Sequence, residues 1–580
     1  MSEFKKLLFR LLFFNEPEGS ESFVLKENEK DKSDDGSNQR RNPREKGEDV
    51  QPRIKPDAEK KKDQKPDISK DISENMDFIK KTFSIPVNGD LILREFDIIV
   101  KCKAIPAFMV FIDGMTDRKV INDDILQPLM LLSNLDIKDD GSTVADYIRS
   151  HILPHNQLQE VKEHQAVIDE VNYGGCGIYI DGIDSAFAAD VKGWEHRGVS
   201  EPSTEMVIRG PHEGFTEQLR VNTALVRRIL KDEDLVAENI SVGKRSHTPC
   251  SLLYIKDITN DSLVNEVRRR LKEIKLDYLI DSGELEQLLE DSTFLPSPQI
   301  IATERPDRVA SLLSEGMVAV VMNGSPFVLV MPATLPALFH SPEDSYFRFP
   351  YGNFLRFVRL LGIIVSLVLP GLYMAVTNYH QEMIPTDLLF SIEAARESVP
   401  FPSIVEILIM EAAFELIREA GIRIPGAIGQ TLGIIGALIL GQAAVAANIV
   451  SPILIIIVAV TGLGSFAVPN FSLAIAFRIL RFVFIALGTM AGFLGLSAGL
   501  FVYGMILVDA KSFGVPFLVP FGPRTANAMN DVLTRAPIWK QERRPDFLNA
   551  KDEAKQPKMS RSWDNKATGK NRDGKKEKEE

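Results

Sequence analysis

The fold of this chain is decided by a stretch that opens with LRFVRLLGIIVSLVLPGLYMAVT at Leu355–Thr377 and closes with FIALGTMAGFLGLSAGLFVYGMILV at Phe484–Val508. A helix that crosses a lipid bilayer needs about 20 predominantly apolar residues, and several candidates follow one another here. The sequence therefore predicts an α-helical membrane domain over residues 346–510. A long charged region precedes it, and a polar C-terminal tail, residues 511–580, follows it.

Length, charge and cysteine content narrow the class of protein. The chain has 580 residues, which is too long for one ordinary domain. Its net charge of −12 argues against nucleic acid as a partner. The three cysteines, Cys102, Cys176 and Cys250, are far apart and form no CxxC pair. This spacing is typical of buried reduced thiols, so the sequence predicts no metal and no cofactor.

The N-terminal region, residues 1–75, is predicted to be a disordered charged extension. Most of it consists of Glu, Lys, Asp, Ser, Asn, Gln and Pro, which cannot bury enough apolar surface to offset the entropy of ordering. Residues Met1–Phe14 read MSEFKKLLFRLLFF, but Arg10 interrupts the apolar run and no small-x-small cleavage site follows, unlike a signal peptide. An interfacial helix and an unstructured start both remain open for this segment.

Residues 76–345 are predicted to form a soluble α/β region of two subdomains, 76–200 and 201–345. Short apolar strands such as AFMVFIDG and GIYIDG alternate with helical patterns. Residues Met317–Met331, MVAVVMNGSPFVLVM, predict a β-hairpin that turns at Asn323–Gly324. The glycine-rich YGGCG lacks the GxxxxGK[ST] pattern of a phosphate-binding loop.

A turn-rich charged segment, EMVIRGPHEGFTE at Glu205–Glu217, is the candidate junction loop of the soluble region. His212 and Glu213 could act as acid and base, but no nucleophile or metal-ligand spacing accompanies them, so no enzyme is predicted. The hypothesis is that Arg209, Glu213 and Glu217 form ion pairs across a domain or subunit junction.

The number of membrane spans is four or five. The candidates are Leu355–Thr377, Ile404–Ala420, Ala427–Val450, Pro452–Val468 and Phe482–Val508. The second is amphipathic and rich in carboxylates, so it could be a half-span, an interfacial helix or a span that faces water. Five spans would put the C-terminal tail outside and four would put it in the cytoplasm. The many Lys and Arg residues of the tail favour the cytoplasm, whereas Arg418, Arg423, Arg478 and Arg481 favour the five-span count. The arginines before the first span favour the cytoplasm for the soluble region.

Two groups of residues within the membrane domain are candidates for an ion path. Glu411 and Glu415 share a helical face with Arg418 and could form an acidic vestibule, or instead an internal pair with that arginine. The candidate pore-lining residues are small or weakly polar and recur on one face of the third candidate span: Gln430, Ala437, Gly441, Ala444 and Asn448.

Glycines recur on one face of the last candidate span, at Gly488, Gly492, Gly495 and Gly499. Such a stripe allows another helix backbone to approach closely. Packing within one chain and packing between chains both remain open.

Several motifs together resemble the A subunit of GerA-type spore germinant receptors. They are REFDIIVKCKA with FIDGM, VIRGPHEGFTE followed by NTALVRR, ATERPDRVASLLSEG, VMNGSPFVLVMP, and the long stretch from PFPSIVEILIMEAAFELIREAGIRIPG to ALILGQAAV. The resemblance runs from about residue 76 to about 545. The long charged N-terminal extension departs from a minimal family member.

The resemblance implies a germinant receptor subunit in the spore inner membrane that acts beside B and C subunits and triggers germination. It also implies that the A subunit forms a homo-oligomer in the lipid and serves as a nutrient-gated cation channel. A non-conducting scaffold for the nutrient-sensing subunit and a secondary transporter are the alternatives. Few spans and no inverted repeat in the sequence argue against the transporter.

Overall fold

The computed structural model describes residues 67–100, 103–131, 158–193, 205–423, 441–525 and 531–556, together with Phe23, Leu25 and Pro202. Most of the predicted N-terminal extension and the last residues of the predicted C-terminal tail therefore lie outside the described residues. The described residues form two α/β subdomains, a helical bundle and a C-terminal segment.

Subdomain 1 is a five-stranded sheet with helices on both faces. All neighbouring strands are antiparallel, in the order β1-β2-β4-β5-β3. Its central strands are apolar throughout because α1 and α3 pack on one face and α2 on the other. The elements are α1 (Ile72–Thr82), β1 (Leu91–Val100), β2 (Lys103–Ile112), α2 (Arg118–Val120, Ile121–Leu126 as a π-turn, and Gln127–Leu131), β3 (Leu158–Val161), α3 (His164–Asn172), β4 (Cys176–Ile180) and β5 (Ala186–Ala189).

Subdomain 2 repeats this topology with strand order β6-β7-β9-β10-β8. In both subdomains a hairpin, a helical segment, a single strand, a helix and a second hairpin follow one another. The predicted hairpin turns at Gly324, whose φ of +97° is accessible to glycine without strain. The elements are α4 (Leu219–Ile229), β6 (Leu235–Val242), β7 (Thr248–Ile255), α5 (Asp261–Glu273), α6 (Ser282–Leu289), β8 (Ile301–Thr303), α7 (Pro306–Ser314), β9 (Val318–Met322) and β10 (Val328–Met331).

The two subdomains meet at α4 and at the edge of β6. Arg227 of α4 is buried and its Nε lies 2.6 Å from the Asp90 carboxylate of subdomain 1. The N–H of Gly89 donates to the carbonyl of Ala237 at 2.8 Å, and the Ala237 N–H donates to the Asn88 side chain at 3.1 Å. These bonds satisfy backbone groups that an open edge strand would leave unpaired.

Both cysteines in the described residues are free and buried. Cys176 lies in β4 and Cys250 in β7, as expected for structural thiols. Burial raises the pKa of Cys250 to about 12, so this thiol stays protonated and unreactive at neutral pH. Cys102 lies outside the described residues.

The helical region starts with two short helices and continues into longer apolar ones. Among the described residues, two helices, α10 and α14, are long and apolar enough to cross a membrane, judged by length and composition. The elements are α8 (Leu335–Phe339), α9 (Glu343–Tyr346), α10 (Phe349–Tyr379), α11 (Thr386–Arg396), α12 (Ser403–Arg423), α13 (Pro452–Phe466) and α14 (Phe471–Asp509). A count of four or five spans is not confirmed.

Pairs of glycines allow α10 to touch its neighbours backbone to backbone. A Cβ added to Gly488 would lie 2.3 Å from the carbonyl oxygen of Gly371, and one added to Gly464 would lie 2.7 Å from that of Gly362. The glycine stripe of the last candidate span is therefore a packing surface within this chain.

The predicted last span, Phe482–Val508, is not one continuous helix. Ala491 and Gly492 leave the helical region of φ/ψ space, with φ/ψ of −140°/16° and 58°/−137°. A Cβ on Gly499 would lie 2.5 Å from the Leu487 side chain, although residues 12 apart in a straight helix are separated by about 18 Å. The two arms of α14 therefore fold back on each other. The hydroxyl of Tyr379 caps the break by donating to the carbonyls of Thr489 and Met490, at 3.0 and 2.7 Å.

Residues 511–525 and 531–556, the C-terminal segment, are folded against subdomain 2 rather than forming a detached tail. Phe513, Phe517 and Leu548 are fully buried there, and Lys551 N–H donates to the carbonyl of Ile258 at 2.8 Å. Phe513 and Phe517 belong to the apolar run SFGVPFLVPF at 512–521, whereas Leu548 is isolated in polar sequence. Both ends of the described helical region thus lie on the side of the soluble region.

Candidate functional site

The junction loop, Glu205–Glu217, links subdomain 2 to the start of α10. Its Glu205 carboxylate accepts hydrogen bonds from Thr303 and Arg308 of the β8–α7 region. Its Ile208 N–H donates to the Glu343 carboxylate of α9 at 3.0 Å. The loop therefore touches both the sheet of subdomain 2 and the short helix that leads into α10.

A fully buried arginine, Arg305, holds this loop in place. Its guanidinium donates to the carbonyls of Glu205 and Pro211 at 3.1 and 2.8 Å, and to the Asp307 carboxylate at 2.9 Å. Asp307 also accepts the hydroxyl of Tyr346 in α9. Burial and the adjacent Asp307 charge raise the pKa of Tyr346, so the phenol remains a hydrogen-bond donor.

The three predicted junction residues take different positions. Glu213 pairs with Arg228 of α4, the helix that also contacts subdomain 1. The main chain of Glu217 accepts the Gly324 N–H at 2.7 Å, so this residue meets the β9–β10 turn through its backbone. Arg209 is exposed. A role in contacts between subunits stays a prediction.

The base of α10 is fixed by a second buried carboxylate, Asp344 of α9. It accepts from Arg356 at 3.2 Å and from Arg359 at 2.8 Å, while Arg535 donates to its main-chain carbonyl at 2.5 Å. Burial alone would raise the pKa of Asp344, but the guanidinium groups of Arg359 and Arg356 outweigh it and hold that pKa below its ordinary value. Asp531 pairs with the other side of Arg356 at 2.6 Å.

A cleft of about 510 Å³ opens beside these contacts. It lies between α7, the α8–α9 connection, the base of α10 and the C-terminal segment. His340 lies in its wall and donates through Nε2 to the carbonyl of Val532 at 2.8 Å. Burial and the nearby charge of Arg356 lower the pKa of His340, so the imidazole is neutral at pH 7.

Within the bundle, the two carboxylates of the predicted acidic vestibule both meet arginines. Glu411 and Arg481 are fully buried and their charged atoms lie 2.5 Å apart. Glu415 pairs with Arg418 at 3.3 Å and with Arg478 at 3.0 Å. Buried charges of opposite sign stabilise each other because the interior screens them poorly. The geometry therefore favours internal pairing, although the main partner of Glu411 is Arg481 and not Arg418.

The candidate pore-lining residues are only partly described. Gln430 and Ala437 lie outside the described residues. Gly441 and Ala444 lie in the helical residues 441–446, where Ala444 packs against the apolar cluster around α13. Asn448 lies beyond this helix, with φ of +53°, and accepts from the Ser398 hydroxyl at 3.2 Å. Asn448 therefore does not continue a helical face with the other two.

Arg305, Asp344 and Arg481 are the residues that sequence reasoning missed. Arg478 and Arg481 lie three residues apart within an otherwise apolar run. A charge inside an apolar helix requires a partner of opposite sign. These arginines were therefore the sequence signal that Glu411 has a buried partner. Arg305 and Asp344 lie in ordinary polar sequence and gave no comparable signal.

Comparison with known proteins gives consistent matches. A model of the Bacillus/Clostridium GerA spore germination protein family matches residues 77–547. The chain is 40% identical to spore germination protein KA of Bacillus subtilis (strain 168), over 82% of this chain and 86% of that protein. It is 36% identical to spore germination protein GerLA of Bacillus cereus, over 81% of this chain and 94% of the relative.

One solved structure is also similar, the N-terminal domain of the A subunit of the Bacillus megaterium spore germinant receptor GerK3. It shares 31% identity and covers 47% of this chain and 98% of its own, with a TM-score of 0.35.

Proposed function

This chain belongs to the GerA family of spore germination proteins, and from that premise we propose that it is a non-enzymatic subunit of a nutrient germinant receptor in the spore inner membrane. In this proposal it acts with B and C subunits and with further copies of itself. Its response to the nutrient triggers germination by opening a path for cations.

The proposed membrane topology is supported by the two long apolar helices and by the position of the chain ends. Arg348, Arg356 and Arg359 lie at the start of α10, and positive charge at that end favours the cytoplasmic side. The C-terminal segment packs on subdomain 2, so we place it on the same side.

The observation that carries the proposal is the continuous contact between the soluble region and the bundle. Arg305 fixes the junction loop to α9, and Asp344 of α9 fixes the first turns of α10. Because each step, including the Asp307–Tyr346 bond, is a hydrogen bond between buried or half-buried groups, we propose that a displacement of subdomain 2 is transmitted to α10. A receptor subunit needs such a connection between a soluble sensor or docking region and its membrane helices.

The proposed cation path is tested by variants of the buried pairs. Neutralising Glu411 and Glu415 together (Glu411→Gln, Glu415→Gln) lowers cation flux if these carboxylates concentrate cations. Glu411→Gln alone leaves Arg481 buried without its partner, so the double variant Glu411→Gln, Arg481→Gln is the cleaner test. Glu419→Gln, at an exposed position of the same helix, is the matched control.

The measurement is cation flux across proteoliposomes that contain the assembled receptor, before and after addition of nutrient. If the carboxylate serves conduction, the Glu411→Gln, Arg481→Gln complex assembles normally but loses most of the flux. Wild-type flux in that variant would show that the Glu411–Arg481 pair has only a structural role.

A non-conducting scaffold is the second candidate, and the glycine contacts between α10 and its neighbours favour it. These contacts leave no space for water between the helix backbones at Gly371 and Gly488. Any conducting path must then be formed by other surfaces of the bundle. Absence of nutrient-dependent flux from the complete wild-type complex, with normal assembly, would establish the scaffold.

A further inference from the structure

The chain makes an unusual turn directly after the last apolar helix. Strands β11 (Lys511–Ser512) and β12 (Val515–Pro516) are joined by Phe513 and Gly514, whose φ angles are +48° and +77°. Two positive φ angles in a two-residue loop define a type I′ turn, which suits Asn-Gly far better than a bulky aromatic residue. Something beyond local preference therefore fixes this turn.

Subdomain 2 supplies that constraint. The ring of Phe513 is fully buried, its N–H donates to the Asp291 carboxylate at 2.6 Å, and the Arg270 guanidinium lies 4.3 Å from the ring centre. Val515 is buried in the same apolar cluster, together with residues of α5 and α6. The turn is thus anchored and presents the α-carbon of Gly514 at a fixed place.

A piece of the N-terminal extension occupies that place. Leu25 is 9% exposed and belongs to the apolar cluster of subdomain 2, and Phe23 packs against the same cluster. A Cβ on Gly514 would lie 2.7 Å from the Leu25 backbone nitrogen and 3.0 Å from the Phe23 carbonyl oxygen. Only glycine leaves room for this close approach of a second backbone.

We propose that subdomain 2 and the Phe513–Gly514 turn form a docking groove for an extended apolar peptide, and that its ligand is the Phe23–Leu25 segment of the chain's own N-terminal extension. Residues i and i+2 of an extended peptide point to the same side, which allows Phe23 and Leu25 to enter one groove together. The 41 residues 26–66 connect Leu25 to Asp67, where subdomain 1 begins. At about 3.3 Å per residue this connection is long enough to reach subdomain 2.

The docked segment acts as a clip at the base of α14. It lies over the turn that follows the last apolar helix, and that turn contacts Asp291, two residues beyond the end of α6. An extension of otherwise polar composition thus has a defined binding function. The inference concerns contacts within the chain and does not depend on receptor or channel activity.

The test uses a fluorescent peptide of residues 18–30, EGSESFVLKENEK, and the full-length chain in detergent or lipid. In the Leu25→Asp chain the groove is vacant, so the peptide binds and its fluorescence anisotropy rises. In the wild-type chain the tethered segment competes at high effective concentration, and the apparent affinity for the peptide is at least about tenfold weaker. The same peptide carrying Leu25→Asp is the matched control and does not bind.

Equal binding to both chains, or binding to neither, overturns the proposal. A second measurement follows the turn itself: hydrogen exchange at the amides of Phe513 and Phe517 is faster in the Leu25→Asp chain and returns to the wild-type rate when the unmodified peptide is added. Unchanged exchange contradicts the clip. If the Leu25→Asp chain cannot be purified, the milder Phe23→Ala, Leu25→Ala chain serves in both measurements.

Discussion

The two α/β subdomains have the same strand order but use the equivalent connection in different ways. In subdomain 1 the connection from β3 to α3 leads to His164, a buried imidazole that lies 3.0 Å from the Tyr179 hydroxyl of the same subdomain. In subdomain 2 the connection from β8 to α7 contains Arg305, which binds the junction loop and, through Asp307, reaches α9.

The residue at this connection, His164 in subdomain 1 and Arg305 in subdomain 2, explains why only subdomain 2 is attached to the bundle here. An imidazole can satisfy its hydrogen bonds inside one core, whereas a guanidinium has five donors and needs acceptors from several segments. Arg305 therefore organises a loop and a helix outside its own sheet. Subdomain 1 instead contacts subdomain 2 through α4 and Asp90.

The comparison predicts that the largest loss of stability arises where subdomain 2 meets α10. Asp344→Ala leaves Arg356 and Arg359 without their shared carboxylate, and we expect a loss of about 3–5 kcal/mol in unfolding free energy. Thermal unfolding of the purified protein and receptor abundance in spores measure this effect. Asp184→Ala, in an exposed pair with Lys70 of subdomain 1, is the control and changes stability by less than about 0.5 kcal/mol. Similar losses in both variants would contradict the asymmetry.

The two equivalent connections can be compared directly. Arg305→Met removes the donor shared by the junction loop and Asp307 and should cost about 2–4 kcal/mol, because these partly buried acceptors lose their hydrogen bonds and regain water only in part. His164→Phe removes the hydrogen bond to the Tyr179 hydroxyl and should cost about 1 kcal/mol. Denaturant unfolding gives both values. In addition, the hydrogen-exchange rate in residues 205–217 should rise only with Arg305→Met. A rise in both variants would show that exchange in this loop follows the overall stability of the protein and not the contacts of Arg305.

A pH dependence distinguishes the subdomains further. Burial raises the pKa of Glu286, within α6, and of Glu290, at its C-terminal end, to about 7. Repulsion from Glu290 adds to the effect on Glu286, and repulsion from Asp291 adds to the effect on Glu290. The native state then binds protons that the unfolded state has lost, so the stability of subdomain 2 falls as pH rises from about 4.5 to about 7. Hydrogen exchange of α6 at several pH values measures this, with α3 of subdomain 1 as the internal reference. Glu286→Gln should flatten the dependence, and an unchanged slope in that variant would assign it to other groups.

The smallest expected effect is at Arg209. This residue is exposed, so Arg209→Glu should change the stability of the isolated chain by no more than about 1 kcal/mol. If Arg209 instead contacts a neighbouring subunit, the same substitution weakens receptor assembly in spores while the purified chain unfolds as before. Unchanged receptor abundance and germination would show that Arg209 makes no contact at a subunit junction.

The sequence by itself determined the elements whose signals are local. Apolar length predicted α10, alternating apolar runs predicted two α/β subdomains, and Asn323–Gly324 predicted the β9–β10 turn. These predictions were possible because hydrophobic periodicity and turn preference depend on residues within a few positions of each other. The family was recognised from motifs distributed along the chain, and the family match agrees.

Only the tertiary structure decided which distant groups meet. Glu411 finds Arg481, 70 residues away, and α14 breaks at Gly492 where Tyr379 of another helix caps the free carbonyls. The C-terminal segment, predicted as a polar tail, packs on subdomain 2 through apolar side chains such as Phe513 and Phe517. The physical reason is that a buried charge or an open backbone group specifies the type of partner it requires and not its position in the sequence. That position follows from packing, which brings separate elements together.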